Sequence, residues 1–145
     1  MDTTTAFAIS ASGLRAQRLR MDVIAANLAN AQSTRTPAGG PYRRHDVVLE
    51  AAPQSESFDD LLAPAGAENA AVRVVRVVED QRPPQLVFDP GHPDADPNGY
   101  VAMPNVNVVS EMVDMMAATR AYEANVAALN ATKRVLEAAL EIGKA

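Results

Sequence analysis

All ten prolines of this 145-residue chain fall between Pro37 and Pro104. Five of the seven glycines lie in the same interval, and only Gly13 and Gly143 are outside it. Proline removes a backbone donor and clashes with the preceding turn, so a long helix cannot run through such a stretch, whereas both ends of the chain are free to be helical. The predicted class is therefore α+β: long N- and C-terminal helices paired as a coiled coil, with a small β-rich module between them. The expected divisions are an N-terminal helix within 1–31, the β-rich module within 32–108, and a C-terminal helix within 109–145.

The C-terminal helix is predicted from Ser110 to about Ile142. Steps of three and four residues connect Met112, Met115, Thr119, Tyr122, Val126, Leu129, Lys133, Leu136 and Leu140. Only Thr119 and Lys133 are not plainly apolar, and this spacing marks a coiled-coil seam. Ser110 is the expected N-cap, with Glu111 and Asp114 in the first turn, and Gly143 is the expected stop. Such a helix would be roughly 50 Å long and could not bury its stripe alone.

The N-terminal segment, from about Ala6 to Asn30, has its own seven-residue period in Phe7, Leu14, Met21 and Leu28. Ile24, Ala11 and Ala25 broaden that stripe, while Arg15, Arg18, Arg20 and Asp22 are expected to face solvent or a partner. Gly13 weakens the helix by up to about 1 kcal/mol and is expected to allow close approach of another backbone. This helix is the natural partner of the C-terminal one. A pair of helices still exposes the edges of both stripes, so further neighbours from other subunits are expected.

Between them, residues 31–46 read as a turn-rich exit, followed by short strands over Tyr42–Glu50, Val72–Glu79, Gln85–Asp89 and Tyr100–Met103. The segment after Pro83-Pro84 reads as a return strand. The acidic stretch 53–70 reads as an exposed loop.

Few residues offer chemistry. His92, Asp94 and Asp96, within Asp89-Pro90-Gly91-His92-Pro93-Asp94-Ala95-Asp96-Pro97, have types and spacing that suit a divalent cation. A rigid turn, with aspartates accepting from nearby backbone N–H groups, explains the same residues. Tyr42-Arg43-Arg44-His45 is a lone basic patch in a chain of net charge −5, more consistent with acidic residues of a neighbouring subunit than with nucleic acid. There is no glycine-rich phosphate loop or nucleophile motif, and no cysteine. Met112, Met115 and Met116 fit packing positions better than ligands of a soft metal. No cofactor, metal or catalytic residue is expected. No segment is apolar enough over a sufficient length for an integral membrane protein. The N-terminus lacks the features of a cleavable signal peptide.

Ser12-Gly13-Leu14-Arg15-Ala16-Gln17, followed by Ile24-Ala25-Ala26-Asn27-Leu28-Ala29-Asn30-Ala31, resembles the N-terminal motif of bacterial flagellar rod and hook proteins. The stretches Thr36–Arg44, Asp89-Pro90-Gly91-His92-Pro93, Gly99-Tyr100-Val101, Pro104-Asn105-Val106, Glu111–Met115 and Tyr122–Val126 are similar to proximal-rod members of that family. The resemblance implies a non-enzymatic structural subunit of the flagellar basal body. It implies that the terminal helices form an inner coiled-coil domain, that the β-rich middle forms an outer one, and that subunits assemble helically into a drive shaft crossing the periplasm. The implied partners are other copies of the chain, other rod proteins and the flagellar type III export apparatus, which needs no cleavable signal peptide. The alternatives are another axial rod or hook subunit, a cytosolic coiled-coil adaptor, or a small metal-dependent hydrolase using His92, Asp94 and Asp96.

Overall fold

A computed structural model describes residues 3–53 and 70–143. In chain order the elements are α1 (Thr3–Ala29), β1 (His45–Pro53), β2 (Ala70–Glu79), β3 (Gln85–Phe88), β4 (Tyr100–Met103) and α2 (Val108–Ile142). The 27 residues of α1 and 35 of α2 correspond to about 40 and about 52 Å. The expected loop over 53–70 lies outside the described residues, apart from its two ends, where β1 stops and β2 starts.

The start of α2 differs from expectation. Asn107, not Ser110, is the N-cap: its backbone is extended and its carboxamide oxygen accepts the Ser110 N–H at 3.1 Å. An N-cap side chain must precede the first helical residue, and Ser110 already lies inside the first turn. At the other end the Gly143 N–H closes the helix on the Ala139 carbonyl at 3.1 Å.

The helices pair antiparallel. A Cβ added at Gly13 would come within 3.1 Å of the Asn125 carboxamide. Thr119 Oγ1 lies 3.7 Å from Met21 Sδ, and Asn27 bonds Glu111. Extended along α1, this register sets Thr3 opposite the turn near Val135, so that about seven residues of α2, roughly 10 Å, run past it. The group that closes on Gly13 is thus the Asn125 side chain, in place of the expected backbone.

The strands form two separate antiparallel ribbons. In β1–β2, His45 pairs with Glu79 and Pro53 with Ala70. Between them the partners Val48↔Arg76 and Leu49↔Val74 leave Val75 as an extra residue, a bulge that kinks the strand and increases its twist. In β3–β4, Gln85 pairs with Met103 and Phe88 with Tyr100. The return strand expected after Pro83-Pro84 thus does not return along β2. It pairs forward with β4, and the two prolines, which offer no N–H to a ladder, lie between the ribbons.

Little is deeply buried. Among the described residues the buried apolar side chains are Ala16, Ile24, Val101, Pro104, Val106 and Ala118, accompanied by the polar Ser12, Asn27 and Glu111. The helices and the β1–β2 ribbon meet on α1, which contacts α2 and both strands.

Candidate functional site

Of the predicted packing residues on α1, Ile24 is buried at 4 % exposure, and Phe7, Leu14, Met21 and Leu28 are half-buried. Ala25, expected to broaden the stripe, is exposed; Arg15, Arg18 and Asp22 are exposed as expected, while Arg20 is half-buried. On α2, Met115, Thr119, Tyr122, Val126, Leu129 and Leu136 are half-buried, whereas Met112, Lys133 and Leu140 are exposed. The line facing α1 combines Met115, Tyr122, Leu129 and Leu136 with Glu111, Ala118, Asn125 and Thr132, all buried or half-buried. It retains the three-and-four spacing, but every second member lies one residue before the predicted one. A search for apolar residues selects Met112 over Glu111 and Val126 over Asn125, although the smaller or polar side chains are what let two helices approach closely.

Thr119 sits at the edge of this line. Its hydroxyl is 2.9 Å from the Met115 carbonyl, to which it donates. Lys133 points outward, with Nζ 3.6 Å from Glu137 Oε1 one turn on.

Of the displaced residues, Met112 belongs to a second, open surface. Val109, Met112, Val113 and Met116 share one face of α2 at spacings of three and four, and are 72, 54, 53 and 56 % exposed. A further exposed apolar patch lies on β3–β4, where Leu86, Phe88 and Tyr100 share a face and the two aromatic rings meet edge-on with centroids 5.3 Å apart. Gly99, at φ +83°, lies against the Phe88 ring, and a Cβ there would be 2.9 Å from it. Large contiguous exposed apolar faces of this kind mark interaction surfaces.

At the end of the seam, the elements meet in a polar joint. The Asn27 carboxamide oxygen accepts the His45 N–H at 2.9 Å and the Tyr42 hydroxyl at 3.0 Å. Its Nδ2 donates to the His45 carbonyl at 2.8 Å and to Glu111 Oε2 at 3.0 Å. Glu111, 1 % exposed, also accepts from Arg44 Nε at 2.6 Å. Burial works against the Arg44 charge, but hydrogen bonding and charge from Glu111, aided by Asp46, outweigh it and push the guanidinium pKa up. Burial, followed by the charges of Glu111 and Glu79, raises the Tyr42 phenol. The basic patch, expected to pair with a neighbouring subunit, therefore meets an acid partner inside its own chain, on α2. The sequence places Tyr42 and Arg44 in a basic patch and Glu111 in the first turn of the helix, without joining them to Asn27 or to one another. The available signal was a carboxylate and a carboxamide on otherwise apolar helix faces, which are costly unless paired.

The His92 turn is occupied by local hydrogen bonds. His92 Nδ1 accepts the Asp94 N–H at 3.1 Å. Asp94 accepts from Thr34 Oγ1 at 2.8 Å and pairs with Arg35, joining this turn to the exit from α1. Asp96 Oδ1 accepts the N–H groups of Asn98 and Tyr100, both at 2.8 Å, and Asp89 accepts that of Gly91. These are the jobs of turn-forming aspartates. Among the other motif residues, Asn30 donates to the Ala26 carbonyl at 2.9 Å and accepts from Ser33. Ala29 is exposed, Pro90 and Pro93 are exposed, Pro104 and Val106 are buried, and Asn105 is half-buried.

Comparison with known proteins fits this arrangement of end helices around a small β region. A family model described as "Flagella basal body rod protein" matches residues 7–35, and one described as "Flagellar basal body rod FlgEFG protein C-terminal" matches 98–142. The flagellar basal-body rod protein FlgC of Bacillus subtilis strain 168 is 49% identical over 144 residues, covering 94% of this chain and 95% of the relative. That of Salmonella typhimurium LT2 is 45% identical, covering 95% and 96%, and that of Aquifex aeolicus VF5 is 41% identical, covering 99% of each. With two terminal helices presenting matched motifs and full-length relatives of one kind, the chain belongs to the FlgC family of flagellar basal-body rod proteins.

Proposed function

We propose that this structural rod subunit is built into the proximal part of the rod through its terminal helices, and that its role is mechanical and not catalytic. The observation that carries the reading is the open apolar face of α2, Val109, Met112, Val113 and Met116, together with the overhanging turns around Leu140. These surfaces find no cover within the described chain. A face on one copy that fits a different face on its neighbour is heterologous and generates an open helical array. Many such contacts around one axis would resist torque without any single contact being strong.

The partners in this reading are other copies of the chain and other rod proteins, contacted through the exposed α2 residues Val109, Met112, Val113, Met116 and Leu140, while Phe7, Leu14, Met21, Ile24 and Leu28 serve helix packing within the chain. The chain would reach the rod through the flagellar type III export apparatus and would stand in the part of the shaft that crosses the periplasm. Nucleic acid has no place in it. No helix among the described residues is long and apolar enough to cross a membrane.

The test is complementation of a strain lacking the gene. The wild-type chain should restore rods in isolated basal bodies and swimming. Val113→Asp combined with Met116→Asp should restore neither while leaving the purified chain folded. A complete rod assembled without the chain would end the proposal.

A further inference from the structure

We infer that Asn27, Arg44 and Glu111 form a latch that makes docking of the β1–β2 ribbon conditional on the pairing of α1 with α2. The latch is a property of the single chain and stands or falls independently of the assembly proposed above.

The ribbon has little apolar anchorage. None of the described β1 or β2 side chains is buried, and the most covered residues of β2 are only half-buried. The hydrogen bonds between the ribbon and α1 lie at two places. At one, Ser12 Oγ accepts the Val72 N–H at 3.0 Å while donating to the Ile9 carbonyl at 2.7 Å. At the other, Asn27 takes both backbone groups of His45.

These two anchors differ in what completes them. Ser12 bonds only groups on α1 and β2. A carboxamide has two acceptor and two donor positions, and all four on Asn27 are filled: by the His45 N–H, the Tyr42 hydroxyl, the His45 carbonyl and Glu111. The last of these comes from α2. The same Glu111 also neutralises Arg44, the residue immediately before β1. When α2 is in place, the amide has one orientation and the start of β1 is held. If α2 moves away, a buried Asn27 donor and the Arg44 guanidinium lose their shared partner, and the docked ribbon becomes the unfavourable state. Helix pairing and ribbon orientation are thus coupled through one hydrogen-bond cluster that both must share to be satisfied.

Amide hydrogen exchange on the full chain tests this. Glu111→Ala should raise exchange at the amides of residues 45–49 by about tenfold or more, the scale of one lost buried hydrogen bond, with helical circular dichroism retained. Val72, held by Ser12, should change far less and serves as the internal reference. Glu111→Gln, which keeps an acceptor for Asn27 but removes the charge opposite Arg44, should fall between the two. Ala118→Leu, which overfills the helix seam, should release the ribbon in the wild-type background and add nothing further to Glu111→Ala. Wild-type exchange at 45–49 in Glu111→Ala, or effects of Ala118→Leu and Glu111→Ala that simply multiply, would overturn the latch. Should Ala118→Leu fail to fold, the comparison of Glu111→Ala with Glu111→Gln decides alone.

Discussion

Asn27 and Glu111, near opposite ends of the sequence, are joined by a 3.0 Å hydrogen bond between two buried side chains. Asn27 is suited to that place because it can donate to Glu111 and to a backbone carbonyl while accepting two more bonds. Asn27→Asp removes both donors and sets a second carboxylate beside Glu111. It should therefore lower stability more than Asn27→Ala, by about 3–5 kcal/mol at neutral pH, the range for an uncompensated buried charge. Because the introduced carboxyl is favoured in its protonated form when folded, part of the loss should return as pH falls. Thermal melts of both variants between neutral and mildly acidic pH measure this; equal losses that do not respond to pH would contradict it.

The helix register makes a second prediction. Met21 touches Thr119, and Leu129 lies about 15 Å further along α2, well beyond the Cα separation of about 7 Å that a disulfide tolerates. In a chain without native cysteine, Met21→Cys with Thr119→Cys should cross-link under mild oxidation in dilute monomer. Met21→Cys with Leu129→Cys should not. The comparison is read by the mobility of the oxidised chain on a non-reducing gel.

That register also explains what could be read from the sequence and what could not. The helix limits followed from proline placement, and half of the α2 seam, Met115, Tyr122, Leu129 and Leu136, followed from apolar periodicity. The alternating half did not, because Glu111, Ala118, Asn125 and Thr132 carry no hydrophobic signal and are selected by closeness and by hydrogen bonding. Strand existence was similarly legible from the valine-rich run of β2. Strand partnership was not, since nothing in Gln85–Phe88 distinguishes a neighbour behind it from one ahead. In the His92 turn the residue types alone fit both a cation and backbone N–H groups; only placement beside Thr34, Arg35, Asn98 and Tyr100 shows how they are used.

Tyr42 supplies a pH prediction. Its phenol is raised above the ordinary value of 10.0 by burial and by the charges of Glu111 and Glu79. A group with a raised folded value stabilises the fold fully below its unfolded value, and that contribution is lost as pH rises through the folded one. Stability should therefore decline in the alkaline range above about 10, and Tyr42→Phe should reduce that decline. Subtracting the tyrosinate absorbance titration of Tyr42→Phe from that of the wild type isolates the Tyr42 step. A midpoint at or below the free value would contradict the burial argument.

Gly13 sets helix propensity against contact. Alanine there would gain about 1 kcal/mol of propensity, but its Cβ would lie 3.1 Å from the Asn125 carboxamide. That group donates to the Ala121 carbonyl at 3.0 Å, a bond worth about 1 kcal/mol. Displacing it should cancel the gain, leaving Gly13→Ala near neutral. Once Asn125→Ala has removed the obstacle, adding Gly13→Ala should stabilise by about 1 kcal/mol relative to Asn125→Ala alone. Denaturant titration of the four chains of this cycle gives the coupling directly.

Lys133 and Leu140 separate the needs of the monomer from those of the rod. The exposed Lys133–Glu137 pair contributes at most about 0.5 kcal/mol, and Leu140, beyond the stretch of α2 opposite α1, is 64 % exposed. Neither Lys133→Leu nor Leu140→Asp should shift the melting temperature of dilute monomer appreciably. Both should nevertheless impair rod assembly and swimming. Lys133→Leu would replace a polar step that sets register against a neighbouring subunit, and Leu140→Asp would charge a surface that the neighbour must cover. Basal-body preparations and swimming assays of complemented strains provide the readout. Full motility in Leu140→Asp would mean that the overhang stays in solvent in the finished rod, and full motility in Lys133→Leu would reduce that lysine to a solvated side chain.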